Sequence, residues 1–420
     1  MLYLSRAGKK HSAQKEIIII SDLRTLPIAA AFTLLSRGHN NRNKEVWISE
    51  TKNKYGDYGD ISLPKWRLRF NFLVCRLLGA KSIRSATSNV KLHDNQLTGV
   101  KSSLISITND CLASKLKYPD LWNKLLILHE GAKGIVDALR KEDFSCVYLF
   151  NGRLASSYPI ASYLYDINSD IYFYEYSGSN NLLGKSFSVR PFSPHNFSQR
   201  AIELLSLYKK SLAPLSDRAL KGYSYAKNKL SNKFSRTTDV QPESIFEVVI
   251  FLSSPHEYTS LDKRVAGFHP VEIETMLRRS ESLINNSSQK RIAVRAHPNM
   301  VNDPSCNQWI EELECLSRRY SFTLIRPQSK VSSHALISSA SYVVTDISSI
   351  ALDCYLMGYP EKSIVMGRPY FIEIIDYLQK TNLPLSRKIM ELAYACSLLD
   401  KPSSFRLSIP FVLLAFLKII

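Results

Sequence analysis

The seven cysteines of this chain (Cys75, Cys111, Cys146, Cys306, Cys315, Cys354 and Cys396) form no C-x-x-C pair. They are scattered and odd in number, which argues against a disulfide framework or a structural zinc and fits reduced thiols in a cytoplasmic protein. Several catalytic signatures are also missing. There is no H-E-x-x-H, Walker loop, G-x-S-x-G or G-x-G-x-x-G, so zinc proteases, P-loop kinases, α/β-hydrolases and dehydrogenases lose support. No apolar run reaches the roughly 20 residues a membrane-spanning helix needs. No signal-peptide core closely follows the basic N-terminus. Internal repeats and low-complexity tracts are absent. Acidic residues are few: Asp+Glu 37 against Lys+Arg 55 gives a net charge of +18. That surplus favours phosphorylated small molecules, anionic membrane or nucleic acid. The absence of an arginine-rich arm, a zinc spacing and an aromatic RNA-binding signature turns the reading away from nucleic acid.

What is present is globular: 420 residues, 45% hydrophobic and 22% charged, enough for two cores. Apolar runs of strand length alternate with helical patterns. Strands are expected at Glu16–Ile20, Cys146–Phe150, Asp170–Tyr174, Phe246–Leu252, Arg291–Val294, Phe322–Ile325, Tyr342–Val344 and Ser363–Met366. Helices are expected at Leu26–Leu35, Phe70–Leu78, Trp122–Leu139, Val271–Ile284, Gln308–Tyr320, around His334–Ile337 and from Ile347 or Ser348 to Met357. Such alternation predicts an α/β protein with parallel sheets and helices on both faces. The stretch 209–243 is basic and polar with Pro214 and Pro242, and reads as a linker with some helix. The expected organisation is therefore an N-terminal Rossmann-like domain over 1–208, a linker over 209–243 and a C-terminal Rossmann-like domain over 244–420. Ligands are expected in the cleft between the domains. The last segment, Leu407–Ile420, is apolar. It reads either as a core helix or as a peripheral foot on an anionic membrane.

Polar residues gather where strands should end, the place where open α/β sheets bind ligands. In Arg295-Ala296-His297-Pro298-Asn299, the proline biases His297 to an extended backbone. The imidazole becomes a candidate donor to a phosphate oxygen and a stabiliser of a departing nucleotide, although a lone His is commonly structural. Arg295 either assists or pairs inside the fold. In Thr345-Asp346-Ile347-Ser348-Ser349, hydroxyls open a helix. They cap it, and the same N-terminus suits an anion. Asp353, about one turn on, is a candidate ribose ligand or a plain helix acid. Gly358-Tyr359-Pro360 reads as a helix stop. Ser253 and Ser254 follow another strand and suit a phosphate, a sugar or a simple turn. In the first half, Asn151-Gly152-Arg153 ends a strand with donors for an acceptor. Glu175 ends the next and is the leading general-base candidate, ahead of His129 and Asp22.

Taken together, H-P followed by S-S, with an acid and G-x-P downstream, resembles bacterial glycosyltransferases of the two-domain GT-B type. The pair is similar to that of bacterial sialyltransferases and of CDP-glycerol glycerophosphotransferases. The longer order looks closest to capsule or surface-polysaccharide biosynthesis proteins: Ser253 to Tyr258, Arg295 to Asn299, Pro327 to Ser333, Thr345 to Pro360, with Phe150 to Arg153 and Glu175 to Gly178 before them. The resemblance spans about residues 146–370. It implies a metal-independent GT-B fold with no bound cofactor, consistent with the lack of a D-x-D motif. It also implies a nucleotide-sugar donor and a glycan or lipid-linked acceptor. His297, Ser348, Ser349, Ser253, Ser254 and Arg295 would hold the donor phosphate, Asp353 the ribose, and Asn151 and Arg153 the acceptor, with Glu175 as base. The family carries Glu where Asp353 stands. A CDP-polyol phosphotransferase on the same scaffold and a non-catalytic scaffold of polysaccharide assembly are the alternative readings.

Overall fold

Four consecutive isoleucines, Ile17 to Ile20, are buried on both sides of the strand that holds them. Alternate side chains of a strand point to opposite faces. Ile18 and Ile20 accordingly pack with Ile28 and Phe32, while Ile17 and Ile19 pack with Ile135, Leu139 and Ile160. A strand covered on both faces belongs inside a parallel sheet.

The computed structural model describes residues 15–21, 25–36, 43–50, 65–84, 97–108, 110, 112–177, 186–190, 196–234, 242, 245–254, 271–284, 291–399 and 405–406. The apolar tail 407–420, Asp22 and residues 255–258 of the Ser253 motif lie outside them. The chain forms two compact units. One comprises Met1–Leu104, Ala113–Pro194 and Ser403–Ile420; the other comprises Ile105–Leu112 and His195–Pro402.

In the first unit, β1 (Lys15–Ile20) is followed by α1 (Thr25–Ser36), β2 (Lys44–Glu50), α2 (Lys65–Leu77) and β3 (Lys81–Arg84). Then come α3 (Thr98–Thr108), whose residues from Ile105 on are counted with the second unit, α4 (Pro119–Leu139), β4 (Phe144–Phe150), α5 (Tyr158–Asp166), β5 (Asp170–Ser177) and β6 (Ser186–Arg190). Strands β1 to β5 are parallel in the order β3-β2-β1-β4-β5, and β6 joins antiparallel beside β5.

The second unit begins with α6 (Phe197–Lys210) and α7 (Leu215–Phe234). It continues with β7 (Val248–Phe251), α8 (Ile273–Leu283), β8 (Ile292–Arg295), α9 (Cys306–Tyr320), β9 (Thr323–Ile325), α10 (Ser333–Ser339) and β10 (Tyr342–Thr345). It closes with α11 (Ile350–Leu356), β11 (Ser363–Val365), α12 (Ile372–Gln379) and α13 (Leu385–Leu399). Its five strands are all parallel, in the order β9-β8-β7-β10-β11. Numbered within each unit, both parallel sheets read 3-2-1-4-5, the strand order of a Rossmann sheet. The fold is therefore α/β with two Rossmann-like units. A last short strand, β12 (Phe405–Arg406), pairs with β6, so the first sheet carries an antiparallel edge beyond its five parallel strands.

Most of 209–243 is helix α7, which belongs to the second unit and packs on α13. A Cβ added at Gly222 of α7 would lie 2.3 Å from the Met390 carbonyl oxygen of α13, so the two backbones approach as closely as glycine permits. The pair is also tied through Glu391, buried on α13. Its carboxylate accepts from the Tyr208 hydroxyl at 3.0 Å and from Arg387, and lies 3.7 Å from the Arg218 guanidinium. Arg218 reaches on to the Ser211 and Ala213 carbonyls, and Arg387 to that of Leu215. The turn between α6 and α7 is held by these arginines.

Candidate functional site

In a 3-2-1-4-5 sheet the strand order reverses between strands 1 and 4, and crevices open at their carboxyl ends. In the second unit these strands are β7 and β10, with β8 beside β7. The register sets Phe251 level with Thr345 on one side and with Arg295 on the other. Three loops therefore leave the sheet at one height from adjacent strands. They carry Ser253 and Ser254; His297; and Asp346, Ser348 and Ser349. The sequence expectation that the H-P and S-S motifs share one sheet edge is met by this register.

His297 has an extended backbone (φ −65, ψ 132) and caps the short 3-10 turn Pro298–Asn302. Its Nδ1 accepts the Asn299 N–H at 3.2 Å. A neutral imidazole that accepts at Nδ1 carries its proton at Nε2, so the hydrogen bond fixes the tautomer that can donate to a phosphate. Ser348 is half-buried, and its Oγ accepts the Ile350 N–H at 3.3 Å. Ser349 is exposed and stands at the N-cap of α11. The Ser348 hydroxyl thus takes up the first N–H of α11, while Ser349, at the N-cap position, makes no side-chain capping bond. Gly358, at φ 89, ends the same helix.

Three other predicted residues point inward. Arg295 is buried, with Nη1 donating to the Arg326 carbonyl and Nη2 to that of Ser329 at 3.1 Å. It clamps the turn after β9, and burial pulls its pKa down to about 10. The fully buried Ser254 sends its Oγ to Met300 Sδ at 3.6 Å, with Ser253 buried beside it. Asp353 is fully buried, its Oδ2 at 3.5 Å from Nε2 of the buried His334. The carboxylate thus joins α10 to α11.

Asp346 is the second residue of the T-D-I-S-S motif. It is buried, and its Oδ2 accepts the Val271 N–H at 3.1 Å. Its Oδ1 has no hydrogen-bond partner among the described residues. A Cβ at Gly367 would stand 2.1 Å from that oxygen, so the carboxyl lies directly on the glycine backbone. Burial raises its pKa to about 6, partly opposed by the Val271 N–H. The buried Arg295 Nε and Thr345 Oγ1 also lack hydrogen-bond partners among the described residues. These three unsatisfied atoms stand at the ends of β8 and β10, the strands on either side of β7, where buried polar groups are ordinarily paired. The spacing of T-D-I-S-S was the sequence signal for Asp346; the packing of Gly367 had none.

In the first unit the reversal falls between β1 and β4, and Asn151-Gly152-Arg153 leaves β4 there. Asn151 is buried at φ 61 and Gly152 has φ 84. Both lie in the left-handed region, which Asn tolerates and Gly favours. The Asn151 Oδ1 accepts the Arg153 N–H at 3.3 Å, and the Gly152 N–H donates to Phe150 at 2.7 Å. Register places Phe150 level with Tyr174, so Glu175 follows at the same level as Asn151. A Cβ at Gly152 would sit 2.3 Å from a Phe173 ring carbon. Gly152→Ala is therefore expected to destabilise the protein by about 2 kcal/mol or more, from backbone strain and the clash together. Thermal unfolding of the variant checks this. The rival base His129 is buried in α4 with its pKa lowered to about 4 by burial and by Lys133, and neither ring nitrogen has a hydrogen-bond partner among the described residues.

No family model matches this sequence, and no curated protein does. Solved structures do. The chain is similar to the KpsC β-Kdo 2,4-transferase of Thermosulfurimonas dismutans at 14% identity, over 66% of this chain and 87% of that one, with a TM-score of 0.37. It is similar to the KpsC β-Kdo 2,7-transferase of the same organism at 12% identity, over 79% and 88%, with a TM-score of 0.36. A UDP-GlcNAc 2-epimerase of Neisseria meningitidis, bound to UDP-GlcNAc, matches at 12% identity over 92% and 99%, with a TM-score of 0.22. The fold assignment rests on the strand order given above. Among the described residues there is no cluster of three His, Cys, Asp or Glu suited to a metal, and no helix long and apolar enough to cross a membrane.

Proposed function

We propose that this protein is a glycosyltransferase that takes a sugar from a nucleotide-sugar donor held by its second unit. The observation that carries the reading is the level emergence of the His297, Ser348–Ser349 and Ser253–Ser254 loops from three adjacent strands at the strand-order reversal. A diphosphate or monophosphate at that edge meets the Nε2–H of His297 and the hydroxyls of Ser348 and Ser349. Arg295 and Asp353 act through the elements they fasten, the turn at 326–329 and the junction of α10 with α11.

In this reading an acceptor hydroxyl attacks the anomeric carbon. The bond from that carbon to the phosphate oxygen breaks, and the nucleotide leaves with the electron pair. His297 and the serines stabilise the charge gathering on the leaving phosphate. Glu175 takes the acceptor's proton, and Asn151 and Arg153 bind the acceptor, a glycan or a lipid-linked glycan of surface-polysaccharide type. The chain supplies these groups without a resident cofactor.

A nucleotide panel tests the donor half. Thermal unfolding with CMP, CDP, UDP and GDP is expected to show stabilisation by at least one of them. His297→Ala and Ser348→Ala are each expected to weaken that nucleotide about tenfold or more, the loss of one hydrogen bond to a charged group. No shift with any nucleotide, or unchanged affinity in both variants, sinks the reading.

A further inference from the structure

Helix α2 buries one face and leaves an unusual one outside. Asn71 and Cys75 are fully buried, and Phe72 and Val74 pack beside Cys75 against the first sheet. The outward side carries Trp66, 69% exposed, Phe70, 38%, Leu73, 54%, and Leu77, 78%. Their spacing of four, three and four residues puts them in one line along the helix. The line is about 16 Å long at 1.5 Å per residue. Soluble helices ordinarily turn a polar face outward. Here the outward line is apolar and aromatic, with exposed Arg69 and Arg76 along its flank and the half-exposed Arg67 on the other side. The thirteen residues K-W-R-L-R-F-N-F-L-V-C-R-L contain four cations and no anion.

We propose that this face of α2 lies on an anionic lipid bilayer, with Trp66, Phe70, Leu73 and Leu77 in the headgroup–acyl boundary and the arginines on lipid phosphates. Charge complementarity selects the occupant. A second copy packed on this stripe about a two-fold axis would bring two sets of four helix cations together, a like-charge contact. An anionic bilayer supplies apolar depth and negative charge together, the two contributions that hold interfacial helices. The net charge of +18 adds long-range attraction of the same sign. This surface is separate from the strand-end site and independent of the proposed transferase activity.

Co-sedimentation of the full chain with phosphatidylcholine vesicles, with and without phosphatidylglycerol, tests it. Binding is expected only with the anionic lipid and is expected to weaken with salt. Leu73→Gln with Leu77→Gln is expected to lower the partition constant about tenfold or more, from the lost apolar insertion. Arg69→Gln with Arg76→Gln is expected to lower it by a similar factor. All four side chains are exposed, so the variants should fold, and an unchanged unfolding midpoint confirms it. Tryptophan emission should shift to the blue on binding, and Trp66→Phe should remove most of that shift. The proposal is overturned by absence of binding to anionic vesicles, or by binding that the leucine pair leaves unchanged. It is equally overturned by binding that disappears only when 407–420 is deleted, or by concentration-dependent dimerisation abolished by the leucine pair.

Discussion

The Glu391→Ala variant is expected to lose about 3–5 kcal/mol of unfolding free energy, the range for removing one partner of a buried ionic network. The magnitude follows from what the carboxylate holds. It is buried among the apolar residues of α6, α7, α12 and α13, and binds Tyr208, Arg218 and Arg387 at once. Truncation leaves two mostly buried guanidiniums without their counter-charge and the Tyr208 hydroxyl without its acceptor. The retained bonds from Arg218 to Ser211 and Ala213, and from Arg387 to Leu215, place the loss toward the lower end of that range. Glu391→Gln keeps an acceptor for Tyr208 but loses the charge, and should fall between parent and alanine variant. An exposed pair gives the contrast: Glu373→Ala, which removes the partner of Arg368, should cost less than about 1 kcal/mol. Urea unfolding of the three variants provides the comparison. Equal losses at 373 and 391 would show that the network has no special weight.

The second large effect is a pH dependence. Asp346 has a pKa near 6 in the folded chain against 3.8 for an ordinary aspartate, the cause being burial. Below about pH 4 the carboxyl is protonated whether the chain is folded or not, and contributes no slope. Between about 4 and 6 the folded chain holds a proton that the unfolded chain has released. Stability from this group therefore falls as pH rises through that window and stays low above it. The difference of 3.8 and about 6 corresponds to about 3 kcal/mol at 1.36 kcal/mol per unit. Asp346→Asn removes the titration. The stability of variant minus parent should accordingly rise by about 3 kcal/mol between pH 4 and pH 7. Denaturant unfolding at those two pH values measures it. A difference that stays constant across the window would mean that Asp346 is not the group that titrates.

Much of the fold was legible because the strands are short unbroken apolar runs with polar ends. Ile17–Ile20, Val147–Phe150 and Tyr342–Val344 could hardly be anything else in an alternating chain. The edges were harder. Strands β6 and β12 are rich in serine and arginine and take their shape from pairing rather than from their own residues. The segment 209–243 reads as a linker because its charges look solvated. Arg218 and the helix around Gly222 instead serve a partner, α13, that lies more than 150 residues away in sequence. At the site, the strand-end position of His297 and the cap at Ser348–Ser349 were readable, because a proline and a hydroxyl run act locally. Which way Arg295, Ser254 and Asp353 point was not. Each direction depends on a partner from another element: the 326–329 turn, Met300 and His334.

The two units are not two consecutive lengths of chain. Residues 105–112 are counted with the second unit, and the short strand β12 at 405–406 returns to the first. The excursion is anchored: the buried Asp110 accepts from the Ser305 hydroxyl, and the Leu112 N–H donates to Asp110 at 3.0 Å. A gene fragment that starts at 195 would lack Asp110 and leave Ser305 without this bond inside the protein. One that stops at 194 would lack β12 along the edge of β6. Dissection of this protein into separately expressed halves therefore calls for a rewired chain order, with each borrowed segment grafted back, rather than for a single cut.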